Sequence, residues 1–172
     1  MQEIKYIKPA ALRKEMTRLR NERKMDFLES LTGMDWGEPT EGDAPDAIRG
    51  LGVVYHLEST TTGERITIKT STLNRENPEI PSVCDLWKAA EMNEREVYDF
   101  FGIVFSGHPD MRRLFLRNDW IGYPLRKDND PEKDNPLCMT NEDTIDTTTE
   151  IELNPDGTIK NKETILFGDE EY

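Results

Sequence analysis

The chain has 172 residues, of which 35% are hydrophobic and 33% charged, with a formal net charge of −13; that length packs one core rather than two independent ones. The acidity is uneven, because residues 129–172 hold 13 acids and 3 bases, a net of −10, which leaves −3 for residues 1–128. This balance disfavours nucleic-acid phosphates and anionic lipid and favours a basic protein partner, while the lack of a long apolar run or an apolar leader reads as a cytosolic chain without a membrane span.

In chain order, Pro9 suits a first helical turn, and Leu12, Met16 and Leu19 follow at helical spacing among Arg13, Lys14, Arg18 and Arg20, which predicts an amphipathic helix. Phe27, Leu28 and Leu31 form a second apolar set ending at Gly33, and they read as another helix closed by a left-handed glycine. Gly37–Pro45 is turn-rich and acidic. Leu51–Leu57 and Arg65–Leu73 read as strands joined by a turn through Thr60-Thr61-Thr62-Gly63-Glu64, with Ile66 and Ile68 on a buried face and Thr67 and Lys69 on a wet one.

Asn74–Pro81 carries two prolines and reads as a loop. Ser82 and Asp85 then look like a helix start with Val83, Leu86, Trp87 and Ala90 behind it, and a second start falls at Asn93, where Glu96 can reach back and Glu94 favours the positive helix end. Val97, Phe100 and Phe101 face inward before Gly102 ends that helix. Ile103-Val104-Phe105 is a short strand, and Ser106-Gly107-His108-Pro109 turns the chain. After Asp128 the composition shifts to Asn, Asp, Pro, Thr and Glu, with a tight turn at Asn154-Pro155-Asp156-Gly157 between Ile151, Leu153 and Ile159, and one apolar cluster at Ile165-Leu166-Phe167. The organisation expected is an α+β domain over 1–128, with helices on one face of a small mixed sheet, followed by an extended acidic tail over 129–172 that docks on a partner.

The densest segment runs from Glu94-Arg95-Glu96-Val97-Tyr98-Asp99 through Gly102, Gly107, His108 and Pro109 to Arg112-Arg113, and continues as Asp119-Trp120-Ile121-Gly122-Tyr123-Pro124-Leu125-Arg126-Lys127-Asp128. Acids and bases interleave there with aromatics, a make-up suited to ion-pair networks that orient loops at an interface. Glu94, Arg95, Glu96 and Asp99 read as an intradomain network of ion pairs and caps.

His108 beside Gly107 and Asp110 admits a general-base or metal-ligand reading, but the other histidine, His56, falls in a predicted strand, so a turn-stabilising hydrogen bond is preferred. Cys84 and Cys138 have no C-x-x-C spacing and read as free thiols in a reduced compartment; two cysteines exclude four-cysteine iron–sulfur ligation within the chain. No Gly-rich phosphate loop occurs, so the familiar nucleotide devices are missing.

The pattern E-R-E-x-Y-D-x-F-G-I-x-F-x-G-H-P, then R-R, then D-W-x-G-x-P-L-R-K-D resembles the signature of the 30 kDa, C-type subunit of proton-pumping NADH:quinone oxidoreductase, respiratory complex I. The resemblance spans roughly residues 10–128. It implies a non-redox component of the peripheral arm on the cytoplasmic side of the bacterial plasma membrane, with flavin mononucleotide, iron–sulfur clusters and quinone all held by other subunits. It implies docking on the 49 kDa, D-type subunit near the cluster-bearing B-type and ferredoxin-like I-type subunits, with Arg112, Arg113, Trp120, Arg126, Lys127 and Asp128 at or beside the contact. Two other readings remain: the same scaffold in a ferredoxin-linked oxidoreductase or membrane-bound hydrogenase, and a stand-alone enzyme centred on His108.

Overall fold

The computed structural model describes residues 3–40, 47–118 and 120–130, all within the unit Met1–Asn135. The predicted tail hairpin, the Ile165-Leu166-Phe167 cluster, Cys138, Asp119, residues 41–45 and the tail beyond 130 lie outside the described residues. The elements are β1 (Glu3–Tyr6), α1 (Pro9–Asn21), β2 (Phe27–Asp35), β3 (Leu51–Glu58), β4 (Arg65–Thr72), β5 (Glu79–Pro81), α2 (Ala90–Phe101) and β6 (Val104–Ser106). Four strands form a mixed sheet in the order β1-β4-β3-β2, with β1 parallel to β4 and the other pairs antiparallel, while β5 and β6 make a separate parallel pair. The α+β class expected from the sequence is what is found.

Register fixes which face is buried. Leu31 lies opposite Tyr55, and Tyr55 opposite Ile68, so these side chains project from one face of the sheet. Both helices cover it: Leu12, Met16 and Leu19 of α1 and Val97 and Phe101 of α2 join Leu51, Val53, Tyr55, Leu57, Ile66 and Ile68 in one core. Pro9 opens α1 as expected, and Arg18 and Arg20 stand in its last turn, favourable to the negative end of the helix dipole. Among the described residues no helix is long and apolar enough to cross a membrane.

The second predicted helix is instead the strand β2. Leu28 pairs with Leu57 and Ser30 with His56, which leaves Glu29 as an extra residue in the ladder. This bulge brings Leu28 and Leu31, three apart, onto the same buried face and so mimics a helical spacing. Gly33 is therefore an interior strand position; a Cβ there would lie 2.4 Å from the Phe101 ring, so α2 crosses β2 at this glycine. Thr67, predicted wet, is buried and bonds His56 Nδ1 at 3.0 Å. Two short strands were not anticipated: β1, whose apolar Ile4 and Tyr6 are the exposed members, and β5, at the end of the expected loop.

The start expected at Ser82 is a single turn, with Leu86 N and Trp87 N both donating to Val83 O. The helix proper begins at Ala90, three residues before Asn93, and has no side-chain cap. Glu94 is instead buried inside the domain, where it accepts hydrogen bonds from Ser82 Oγ at 2.6 Å and Val83 N at 2.8 Å. The carboxylate expected to favour a helix start thus ties the 82–87 turn to α2. Trp87 Nε1 ties the same turn to the connection between α1 and β2 by donating to Met25 O at 3.0 Å. Gly102 does end α2, with φ of 70°.

Candidate partner-docking site

The described residues of the segment 111–128 form no helix or strand, so their backbone groups need side-chain partners. α2 supplies them from residues one turn apart. Asp99 Oδ2 accepts from the backbone N–H groups of Leu114 (3.0 Å), Phe115 (2.7 Å) and Leu116 (2.9 Å), and Oδ1 accepts from Arg113 Nη1 at 3.0 Å. Burial pushes the Asp99 carboxyl up, but the three N–H groups and Arg113 outweigh it and hold the group below the usual range. Arg95 donates to Arg112 O and Arg113 O, both at 3.1 Å. Arg113 Nη2 reaches on to Trp120 O at 3.2 Å and so closes the loop on itself.

The far end of the loop is held from the other side. Arg126 donates to Phe101 O at 2.6 Å and Arg75 O at 3.0 Å, and its guanidinium lies 4.5 Å from the centre of the Tyr123 ring. Burial lowers the pKa of Arg126 from its usual value. Asp35, at the end of β2, takes both nitrogens of the Arg75 fork at 2.9 and 2.7 Å and also accepts from Gly37 N and Lys127 N. Arg75 holds the Asp35 carboxyl well below the usual range, and its Nε pairs with Asp128 at 3.0 Å. Gly102 is confined beneath this loop, since a Cβ on it would meet the Tyr123 ring at 2.4 Å.

The structure therefore brings most of the sequence-predicted residues into one network. Arg113, Arg126 and Asp128 turn towards their own chain, while Arg112 is exposed beside Asp110 and Lys127 is exposed, its backbone N–H held by Asp35. The Trp120 indole nitrogen is buried without an acceptor among the described residues. Tyr98 meets Tyr123 edge-on at 6.4 Å, and Glu96 is exposed. Gly107 takes φ of 85° ahead of His108-Pro109. His108 Nδ1 accepts from Asp110 N at 3.0 Å and Nε2 donates to Glu91 O at 2.9 Å, so both ring nitrogens serve the turn. Cys84 is a free, half-buried thiol, and among the described residues no cluster of three or more His, Cys, Asp or Glu could hold a metal.

Sequence reasoning missed Asp35 and Arg75, the pair that anchors Lys127 and Asp128. The available signal was Asp35 continuing the buried alternation Leu31, Gly33 in β2. Outward the loop displays apolar side chains, with Phe115 64% and Leu125 54% exposed, beside the exposed Arg112 and Lys127. A loop tied down by inward-facing charges and showing apolar and basic side chains outward suits a preformed protein-binding surface better than a reaction centre.

Comparison with known proteins identifies the family. The family model described as "Respiratory-chain NADH dehydrogenase, 30 Kd subunit" matches residues 5–135. The fused C/D-type subunit of NADH-quinone oxidoreductase from Bacteroides thetaiotaomicron is 74% identical over the whole chain, which spans 32% of that relative. Among solved structures, "Nqo5 of the trypsin-resistant fragment (1-134) in P63 form" is 34% identical with a TM-score of 0.53, covering 62% of this chain and 80% of that one. A chain of "the membrane-bound sulfane sulfur reductase (MBS), an archaeal respiratory membrane complex" is 25% identical with a TM-score of 0.60, covering 87% of this chain and 83% of that one. The matched family model, covering the core, both helices and the pinned loop, shows that the chain belongs to the respiratory-chain NADH dehydrogenase 30 kDa subunit family.

Proposed function

We propose that this chain is a non-redox scaffold in the peripheral arm of an NADH:quinone oxidoreductase, and that it braces the quinone-site 49 kDa, D-type subunit beside the B-type and I-type subunits. The observation that carries the reading is the loop 111–128, fixed by buried charges of α2 and β2 although its described residues have no secondary structure of their own. Ordering such a loop before binding removes entropy that docking would otherwise have to overcome. A relative that carries the matching segment within a C/D polypeptide supports the D-type subunit as the neighbour.

In this reading Arg112 and Lys127 meet the partner directly, while Arg113, Trp120, Arg126 and Asp128 shape the surface. Flavin mononucleotide, clusters and quinone belong to other subunits, and the chain alone oxidises nothing. The complex sits on the cytoplasmic side of the plasma membrane, attached through its other subunits.

Likeness to a chain of the sulfane sulfur reductase favours one alternative, the same scaffold in a related membrane complex with another electron donor. Affinity purification of the tagged full-length protein from membranes of its native host separates the two. NADH-oxidising, flavin-bearing subunits and NADH:quinone reductase activity are expected in the eluate. Their absence beside ferredoxin-type or sulfur-reducing subunits supports the alternative, and stoichiometric iron or flavin in the isolated chain contradicts the scaffold reading.

A further inference from the structure

Beside the pinned loop lies a hollow of about 120 Å³ between α2 and β2, lined among others by Leu31, Gly33, Glu96, Val97, Phe100 and Leu125. Its volume is a little below the ~150 Å³ that holds one benzene-sized group, so it suits a single aliphatic side chain. The walls are tied to the domain. Leu125 N donates to Phe100 O at 3.1 Å, and the Phe100 ring stacks on Phe115 at 5.7 Å and 9°. Phe115 is itself held by its backbone N–H on Asp99. Phe100 and Leu125 thus line the hollow and Phe115, stacked on Phe100, extends the apolar surface beside it; Phe115 and Leu125 are more than half exposed.

A single charge stands at the rim. Glu96 projects from the turn of α2 that carries Phe100, is exposed, and has no ion-pair partner among the described residues. Glu94 and Asp99, its neighbours on the same helix, are both consumed inside the domain. Nothing in the fold of the described residues uses Glu96, whereas an apolar socket with one acidic rim group selects a knob of matching shape and opposite charge.

We propose that this hollow is the socket of the docking surface, and that it receives one aliphatic side chain of the D-type partner while a lysine or arginine beside that side chain pairs with Glu96. The proposal rests on the docking reading above and adds to it the chemistry of the contact: apolar shape fit with one ion pair, rather than salt bridges from the basic cluster alone.

The test uses the complete complex in the native host, with a photo-crosslinking benzoylphenylalanine in place of Phe115 and, separately, Glu96→Lys. Irradiation is expected to link position 115 to a D-type peptide that contains an aliphatic residue next to a Lys or Arg. Glu96→Lys is expected to reduce the assembled complex about tenfold with an unchanged melting temperature of the free protein, and changing that Lys or Arg to Glu should restore assembly. A link to a different subunit, or full assembly of Glu96→Lys, overturns the socket while leaving the docking reading standing. Failure of the unsubstituted protein to co-purify with any such complex overturns both.

Discussion

Glu94 and Asp99 lie on the same helix, both buried, yet their surroundings tune them in opposite directions. Asp99 receives four donors and is lowered from 3.8, whereas at Glu94 burial outweighs the bonds from Ser82 and Val83 and raises the group from 4.5. The signs for stability follow. Asp99, like Asp35, contributes stability that is present above its unfolded value of 3.8 and lost as pH falls through its lower folded value. Glu94 does the reverse: the folded state holds its proton more tightly, so stability declines as pH rises from 4.5 through the raised folded value. Glu94→Gln is expected to flatten that decline without altering the acid limb, because the amide can accept from Val83 N–H and donate to Ser82 Oγ. Glu94→Ala leaves the Val83 N–H and the Ser82 hydroxyl hydrogen without an acceptor and should cost about 1–3 kcal/mol. Melting temperatures of the three proteins between acid and neutral pH check this; an equal decline in Glu94→Gln would clear Glu94 of responsibility.

At the scale of elements, β2 holds the lesson about what the sequence conveys. Its bulge at Glu29 converts a strand period into a helical one, and Gly33 looked like a helix terminator when it is the notch in which Phe101 rests. Gly33→Ala should therefore destabilise by about 1–3 kcal/mol through overpacking, seen as a lower denaturant midpoint with an unchanged slope; an unchanged midpoint would mean that α2 slides off the notch at little cost. Where periodicity was unbroken, as in α1, the β3–β4 hairpin and the C-terminal half of α2, pattern alone was sufficient to place the element, although not to assign the buried Thr67 of β4 to its face. It failed at β1, where the apolar side chains are the exposed ones, and at β5, three residues long and ending in Pro81. The candidate loop was legible as a charged, aromatic-rich motif. Which charges face inward was not, because Asp35 and Arg75 lie 92 and 52 positions before Lys127 and no local rule connects them.

For the whole molecule, the network makes the loop 111–128 part of the domain rather than an appendage. Arg126 illustrates this: it joins the end of α2 to the segment before β5 and to Tyr123 at once. Removing it leaves Phe101 O and Arg75 O without their donor, each a loss of about 1–3 kcal/mol where the group stays buried, and loosens the surface that the partner reads. A brace should fail in assembly and spare chemistry. The decisive measurement is to express Arg126→Ala in the native host and to record the amount of assembled complex together with quinone-reductase turnover per assembled complex. Reduced assembly with normal turnover in what does assemble is the expected result, whereas normal assembly with impaired turnover, or no effect on either, would contradict the bracing role.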